Sequence, residues 1–477
     1  MLLCYFIPYF YIAAYITAFG CILKIVSSDD NPDYKVPWIL IVLLIPIAGF
    51  MLYFLFYSRK LKKKYIKRLN DINKYKYDYI DSDILNNLKD IDARAYMQAN
   101  MLLNIDSNHL FKNTNTLYFS SGEKYFESLL EDLKNAKSFI FMEYFIIEEG
   151  LFWDSILEIL KQKALSGLNV RVVYDDIGCM STLPGDYHKI LKKYNIKATP
   201  FSRFRGSVDS EFNNRSHRKI TVIDGYIGYT GGINIADEYI NKINRFGHWK
   251  DTGIRLIGDG VYELTRLFLI DYCINVKNYD FSNLDLYPIN NFNSKGYVIP
   301  FGDGPKPLYN KRVGKSVITN MLNLSSRYCY ITTPYLIIDN ELLSVIEASS
   351  LRGVDVRIIV PHIPDKKMVF EMTRSFYKRL LDSGVRIYEY KPGFIHAKSY
   401  VSDDMYAMIG TINLDYRSLV HHFENGVWIY NDDSILDIKN DIENVMLESI
   451  EITKDKLKIG FLKRFFRAIV RIFAPML

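Results

Sequence analysis

HAKSYVSDDMYAMIGTIN, residues 396–413, is the stretch on which the reading of this 477-residue chain turns. Its first half, HAKSYVS, is rich in β-branched and aromatic residues and predicts a strand. Side chains two apart on a strand share a face, so His396 and Lys398 point the same way and place a titratable base beside a fixed cation. Asp403 has the wrong parity for that face. It is expected to hold geometry where Ser402-Asp403-Asp404 turns the chain into a second strand, MYAMIG. Alone, so short a pattern arises by chance.

The pattern occurs twice. HRKITVID, residues 217–224, repeats the spacing with His217, Lys219 and Asp224, turns at Asp224-Gly225, and runs on as YIGYTGGIN to Asn234. Gly231 to Asn234 stand 179 residues before Gly410 to Asn413, the same offset that separates the two histidines. Two such copies imply an internal duplication. Their surroundings match as well. SFIFMEYFII (138–147) is an apolar run of the kind found in strands buried on both faces, followed by a helical stretch and the strand NVRVVYD (169–175). SRYCYITTPYLII (326–338) and VDVRIIVP (354–361) answer them. Strand, helix, strand at these lengths argues for an α/β class. The expected architecture is two pseudo-symmetric lobes with mixed sheets flanked by helices, the first over 116–304 and the second over 305–450. One histidine from each meets the other at the interface.

The ends of the chain differ from this body. Residues 1–58 hold two apolar stretches, about 2–24 and 37–57, the first uncharged through residue 23, each long enough to cross a bilayer, and predict a transmembrane helical hairpin. Pro46 falls inside the second and is tolerable in a membrane helix. The basic run from Arg59 to Arg68 follows directly, which by the positive-inside rule puts the catalytic body and both termini in the cytoplasm. Residues 59–115 read as a basic and polar linker that becomes helical near 93–104. Residues 458–477 read as a basic amphipathic helix of the membrane interface, with Lys463, Arg464, Arg467 and Arg471 on one face. The net charge of +6 is too mild to point to nucleic acid, and five scattered cysteines without C-x-x-C spacing fit neither a disulfide framework nor a zinc site.

Two facing His-Lys pairs suit phosphoryl chemistry. One neutral imidazole attacks phosphorus, and a second, protonated, supplies the leaving alkoxide with its proton and then acts as base. Lys219 and Lys398, with the amides of Asn234 and Asn413, would hold the non-bridging oxygens, so that neither a metal nor another cofactor is called for.

The duplicated H-x-K-x-x-x-x-D followed by G-x-x-N resembles the phospholipase D superfamily, and the layout of the whole chain resembles bacterial cardiolipin synthases. The resemblance implies a membrane enzyme that moves a phosphatidyl group from one phosphatidylglycerol to another through a phosphatidyl-histidine, among anionic lipids and without nucleic acid. It makes His217 the nucleophile and His396 the general acid/base, although the internal symmetry leaves the swap open. It assigns phosphate binding to Lys219 and Lys398 and bracing to Asp224 and Asp403. Glu424 and Asp251 become candidates for orienting the histidines. Gly410-Thr411 stands where the family usually has Gly-Ser, keeping a hydroxyl, and the first lobe has Gly231-Gly232. Another phosphatidyl transfer, phospholipid hydrolysis and a membrane-tethered nuclease are the competing readings.

Overall fold

A computed structural model describes residues 2–28, 30–56, 82–105, 108–203, 214–288, 292, 294–305, 308–309, 311–457 and 460–476. The basic run from Arg59 to Arg68, and the part of the linker reaching residue 81, lie outside the described residues.

The chain starts with α1 (Leu2–Val26), α2 (Pro32–Leu44) and α3 (Pro46–Phe56). The single second span expected over 37–57 is not formed. Proline lacks an N–H and drives the preceding residue out of the helical region, and Ile45 sits at φ −134°, ψ 75°. α3 then folds back on α2. Trp38 and Tyr53, fifteen residues apart in sequence, meet edge to face at 5.7 Å. Gly49 permits the close approach, since a Cβ there would stand 2.6 Å from the Ile41 carbonyl oxygen. The Lys24 ammonium lies 4.7 Å from the Phe54 ring, so α3 returns to the level at which α1 ends. Among the described residues no helix is long and apolar enough to cross a membrane.

Residues 82–105 are not linker. α4 (Ser82–Ile91) and α5 (Ala93–Ile105) bury Leu88, Ala95, Ala99 and Leu102 in the main core, and Gln98 accepts from the Trp428 indole. Apolar spacing along two helices with one wet face accounts for this packing.

The first lobe follows with β1 (Thr114–Phe119), α6 (Gly122–Asn135), β2 (Phe139–Tyr144), α7 (Leu151–Leu165), β3 (Asn169–Asp175), α8 (Tyr187–Lys192), β4 (Lys197–Phe201), β5 (Lys219–Ile223), β6 (Ile227–Gly231), β7 (His248–Lys250), β8 (Gly253–Gly258) and α9 (Val261–Asn275). The second has β9 (Tyr297–Asp303), α10 (Val313–Leu324), β10 (Tyr328–Thr332), β11 (Leu336–Ile337), α11 (Asn340–Leu351), β12 (Asp355–Pro361), α12 (Lys367–Asp382), β13 (Arg386–Tyr390), β14 (Gly393–Ile395), β15 (Ser399–Ser402), β16 (Tyr406–Gly410), β17 (Leu414–Asp415), β18 (Glu424–Tyr430), α13 (Ser434–Leu447) and β19 (Ser449–Ile452). α14 (Phe461–Ile472) closes the chain.

The two mixed sheets are copies. The first runs β1-β8-β6-β5-β2-β3-β4, and the second, read from its matching edge, β9-β18-β16-β15-β10-β12-β13 with β19 added. In both, the strand after the His-Lys pair lies antiparallel to a central strand that is itself parallel to the next (β5 and β3 on β2, β15 and β12 on β10). β9 pairs with β18 over its whole length, so residues 297–303 belong to the second lobe and the boundary falls before residue 297, not at 304. One apolar cluster joins a face of the first sheet and α9 to the second lobe, and another fills the first sheet's opposite face under α6 and α7.

Candidate active site at the lobe interface

Each histidine stands just before its strand, where the chain crosses into the other lobe. The His217 N–H donates to the Phe423 carbonyl at 2.8 Å, and the His396 N–H donates to the Lys250 carbonyl at 2.7 Å. Phe423 and Lys250 precede Glu424 and Asp251, and these acids close the arrangement. His217 Nδ1 lies 3.0 Å from both Glu424 carboxylate oxygens, and His396 Nδ1 lies 2.7 Å from Asp251 Oδ2. The bracing is crossed: each lobe's histidine is held by the other lobe's acid. β7 and β14 pair across the same boundary. An Nδ1–H given to a carboxylate fixes the tautomer and leaves Nε2 with a lone pair.

His217, Lys219, His396 and Lys398 are all buried. The Lys219 ammonium donates to the His217 carbonyl at 2.7 Å, and Lys398 makes the matching bond to the His396 carbonyl. Burial, then the charges of Lys219, Lys398 and His396, pushes His217 well below its ordinary range. Burial and Lys398 bring His396 down to about 4 in spite of Asp251. Burial brings Lys219 down to about 7 and Lys398 down to about 8, against the pull of nearby Glu424 and Asp251. Burial works against the Asp251 carboxylate too, but His396 and Lys398 outweigh it and keep it ionised, whereas burial raises Glu424. Burial, and not a want of neighbouring carboxylates, is what lowers the two lysines, and a bound anion would favour their charged form.

Asp224 and Asp403 sit away from this pocket, in left-handed turn positions at φ 51° and 57°. Asp224 accepts the N–H groups of Lys137, Ser138 and Phe139 at 2.7–2.9 Å. Asp403 accepts those of Ser326, Arg327 and Tyr328 at 2.7–3.1 Å. Each carboxylate thus ties its hairpin to the start of the neighbouring central strand.

The asparagines are less alike than their motif. Asn234 accepts from the Ile146 N–H and donates its amide to the Tyr239 hydroxyl, whose ring packs edge-on against His396. Asn413 is buried with its Oδ1 unpartnered. Thr411 donates its hydroxyl to Glu424, and Ser418 donates to the other oxygen at 2.6 Å. At the position matching Thr411 the first lobe has Gly232, where a Cβ would stand 2.1 Å from Asp251 Oδ1. The missing side chain makes room for the acid.

Sequence reading did not single out Ser418, His422 or Arg218. The His422 ring stands 5.7 Å from that of His217. Among the described residues His217, His422 and Glu424 form the set whose ligand atoms lie close enough for a metal, within 4.8 Å of one another. Both Glu424 oxygens already accept hydrogen bonds, so an ion there would have to displace them. Arg218 is buried between the histidine and lysine of its motif, where it binds Asp271 at 2.9 Å, the Glu424 carbonyl and the Tyr309 hydroxyl. A cation next to H-x-K was the available signal.

Comparison with known proteins gives this geometry its setting. The family described as "Cardiolipin synthase, PLD-like domain" matches residues 129–244 and 318–446, one segment in each lobe. The chain belongs to the cardiolipin synthase family. As a member of that family it is a phosphatidyltransferase of the phospholipase D type. Residues 12–56 match the "Phospholipase_D-nuclease N-terminal" family. A cardiolipin synthase of Halalkalibacterium halodurans is 30% identical over 95% of this chain and 91% of its own length. An uncharacterized protein of Streptococcus mutans is 42% identical over 96% of this chain and all of its own length. The crystal structure of a phosphatidylserine synthase from Haemophilus influenzae superposes with a TM-score of 0.60 at 16% identity, over 80% of this chain and 98% of that one, a likeness of fold.

Proposed function

We propose that the chain joins two phosphatidylglycerol molecules into cardiolipin and glycerol. The observation that carries this is the pair of crossed His-acid contacts, which orient two imidazoles beside two buried lysines at the lobe interface. One histidine attacks phosphorus through Nε2, and the glycerol leaves with a proton from the other. The second histidine then takes the proton of the incoming phosphatidylglycerol's terminal hydroxyl, which attacks the phosphatidyl-histidine and frees the first. Lys219 and Lys398 balance the oxygens of the phosphoryl group, Asn413 adds an amide, and Asn234 acts through Tyr239. Asp224 and Asp403 keep the hairpins in place.

The two histidines are not equivalent, and the difference supports His217 as nucleophile. Asp251 stays ionised at 2.7 Å from His396 and can sustain an imidazolium there, as a general acid needs. His217, itself pushed toward the neutral form, faces Glu424, whose charge is resisted by burial.

The N-terminal helices are read as the membrane attachment. α1 and the bent α2–α3 pair expose Ile12, Phe19, Leu44 and Phe54, and the Arg59 to Arg68 run that follows supports a body on the cytoplasmic side. The start of α2 bonds directly to the second lobe: Asn31 donates to Asp339, and Asp33 accepts from the Asn340 N–H at 2.8 Å. The bend favours a hairpin that enters lipid and returns, with the acidic 27–31 loop on the body's side.

The test uses membranes containing the chain and radiolabelled phosphatidylglycerol. Label in cardiolipin with release of glycerol, and none with His217→Ala or His396→Ala, is the expected result. Phosphatidic acid as the main product would make this a hydrolase and refute the transfer.

A further inference from the structure

The basic stripe of α14 is turned only in part toward the protein: Arg471 is half-buried, whereas Lys463 and Arg464 are exposed. Arg467 is buried and, with Lys463, pairs with Glu371 on α12 at 2.8–2.9 Å, while Phe461, Leu462, Phe465 and Phe466 on the other side are exposed. Between α14 and α12 lies a cleft of about 540 Å³, away from the histidines. Arg374, Lys378, Lys454, Arg464, Arg467 and Arg471 line it, and Asp382 is the one carboxylate in its wall.

The acids nearby are already engaged. Asp382 holds Lys378 and Lys454, Glu371 holds Lys463 and Arg467, and Glu389 holds Arg374. Among the described residues Arg464 and Arg471 form no ion pair, although the Asp33 carboxylate is near enough to Arg471 to favour its cation in part. Arg471 is partly buried, its guanidinium 4.4 Å from the Phe376 ring, and burial followed by the nearby charge of Arg379 disfavours its cation. Basic residues at 464, 467 and 471 occupy one face of α14, opposite 374 and 378 on α12. Two cationic faces held together need a counter-ion, and guanidinium forks suit phosphate.

We infer that this cleft binds the phosphate of an anionic phospholipid head group, a second lipid site separate from the catalytic one. The exposed apolar strip of α14 runs beside it and gives the acyl chains a surface, which a free phosphate would not need. The inference rests on the membrane-attached reading above. The same end of the molecule meets the N-terminal helices, since α14 and the segment Ala474–Met476 pack against α2.

The test counts equivalents of radiolabelled short-chain phosphatidic acid bound by the full chain in neutral detergent micelles. The wild type should bind two, and Arg464→Glu/Arg471→Glu one, with turnover of micellar phosphatidylglycerol unchanged. Arg464→Gln/Arg471→Gln, which removes charge without adding repulsion, should lose the same equivalent. Equal stoichiometry in wild type and both variants overturns the site. Inorganic phosphate filling the cleft as tightly as the lipid overturns the lipid assignment. Absent turnover in every protein would refute the proposed reaction and still leave the stoichiometry to judge the cleft.

Discussion

Anion binding should draw protons into the site. Lys219 at about 7 and Lys398 at about 8 are partly neutral in the free protein near neutral pH. A bound phosphodiester monoanion would offset the burial and raise both, so binding takes up protons and weakens as pH rises. If the complex keeps both lysines protonated, their uptake is roughly 0.1 proton at pH ~6, 0.6 at pH ~7 and 1.4 at pH ~8. Integrated over that window, affinity falls ~20-fold, about 1.8 kcal/mol. Both imidazoles are neutral throughout, and a histidine that becomes protonated in the complex adds to the uptake with the same sign. The ligand of choice is the deacylated head group glycerophosphoglycerol, whose diester does not titrate in this range. Calorimetry in two buffers of different ionisation enthalpy reads the uptake directly. Lys219→Met should flatten the lysine share from ~20-fold to ~2-fold, and Lys398→Met to ~10-fold. Proton release on binding, or affinity that does not depend on pH in any of the three proteins, would refute the account of the lysines.

Glu424→Gln and Asp251→Asn keep shape but lose the carboxylate that fixes each tautomer, and each should lower kcat by ~10²–10³-fold with little change in Tm, read by steady-state turnover and thermal melts. Asp403→Ala strands three backbone N–H groups and should cost about 3 kcal/mol, seen as a lower denaturation midpoint. Gly232→Thr, which copies the second lobe's residue into the first, should push Asp251 off His396 and lower kcat, whereas Thr411→Ser, which keeps the hydroxyl to Glu424, should be nearly neutral. Ser27→Cys should react with an impermeant maleimide from the side of the membrane that carries the catalytic body; labelling from the opposite side only would restore the two-span hairpin.

The duplication was legible because sheet and motif repeat together. Strand NVRVVYD, helix LFWDSILEILKQKAL and the Asp224-Gly225 turn stand where their residues put them, since apolar runs and turn residues are local signals. Three things were not local. β9 could be assigned only by its pairing with β18, a partner more than a hundred residues away. The segment 82–105 looked polar because each of its helices shows water one face. Pro46 was read within a membrane helix when its consequence depended on Trp38 and Tyr53 being able to pack on each other. In the site, strand parity was the basis for expecting His and Lys on one side and the Asp apart, but the strands begin only at Lys219 and Ser399, so both histidines and Lys398 stand before them. The crossing of the acids, and the diversion of Asn234 to Tyr239, depend on how the lobes meet.

That crossing has a consequence for how the site works as a unit. Neither lobe carries a complete histidine pair: cut from its neighbour, the first would hold His217 without Glu424, and the second His396 without Asp251. The backbone bonds from His217 to Phe423 and from His396 to Lys250 would be lost at the same time, leaving both N–H groups to water. Docking therefore assembles orientation and low dielectric in one event, and the cost of holding four cationic or basic groups out of water is borne by the whole interface. An apolar interface of this extent can bear it, because the main core runs through both lobes. The same burial would discriminate ligands by charge. A neutral ligand would leave the lysines partly deprotonated, whereas the phosphodiester of the proposed reaction would favour their charge. The geometry thus favours a monoanionic phosphodiester before any contact with the glycerol or acyl parts is considered.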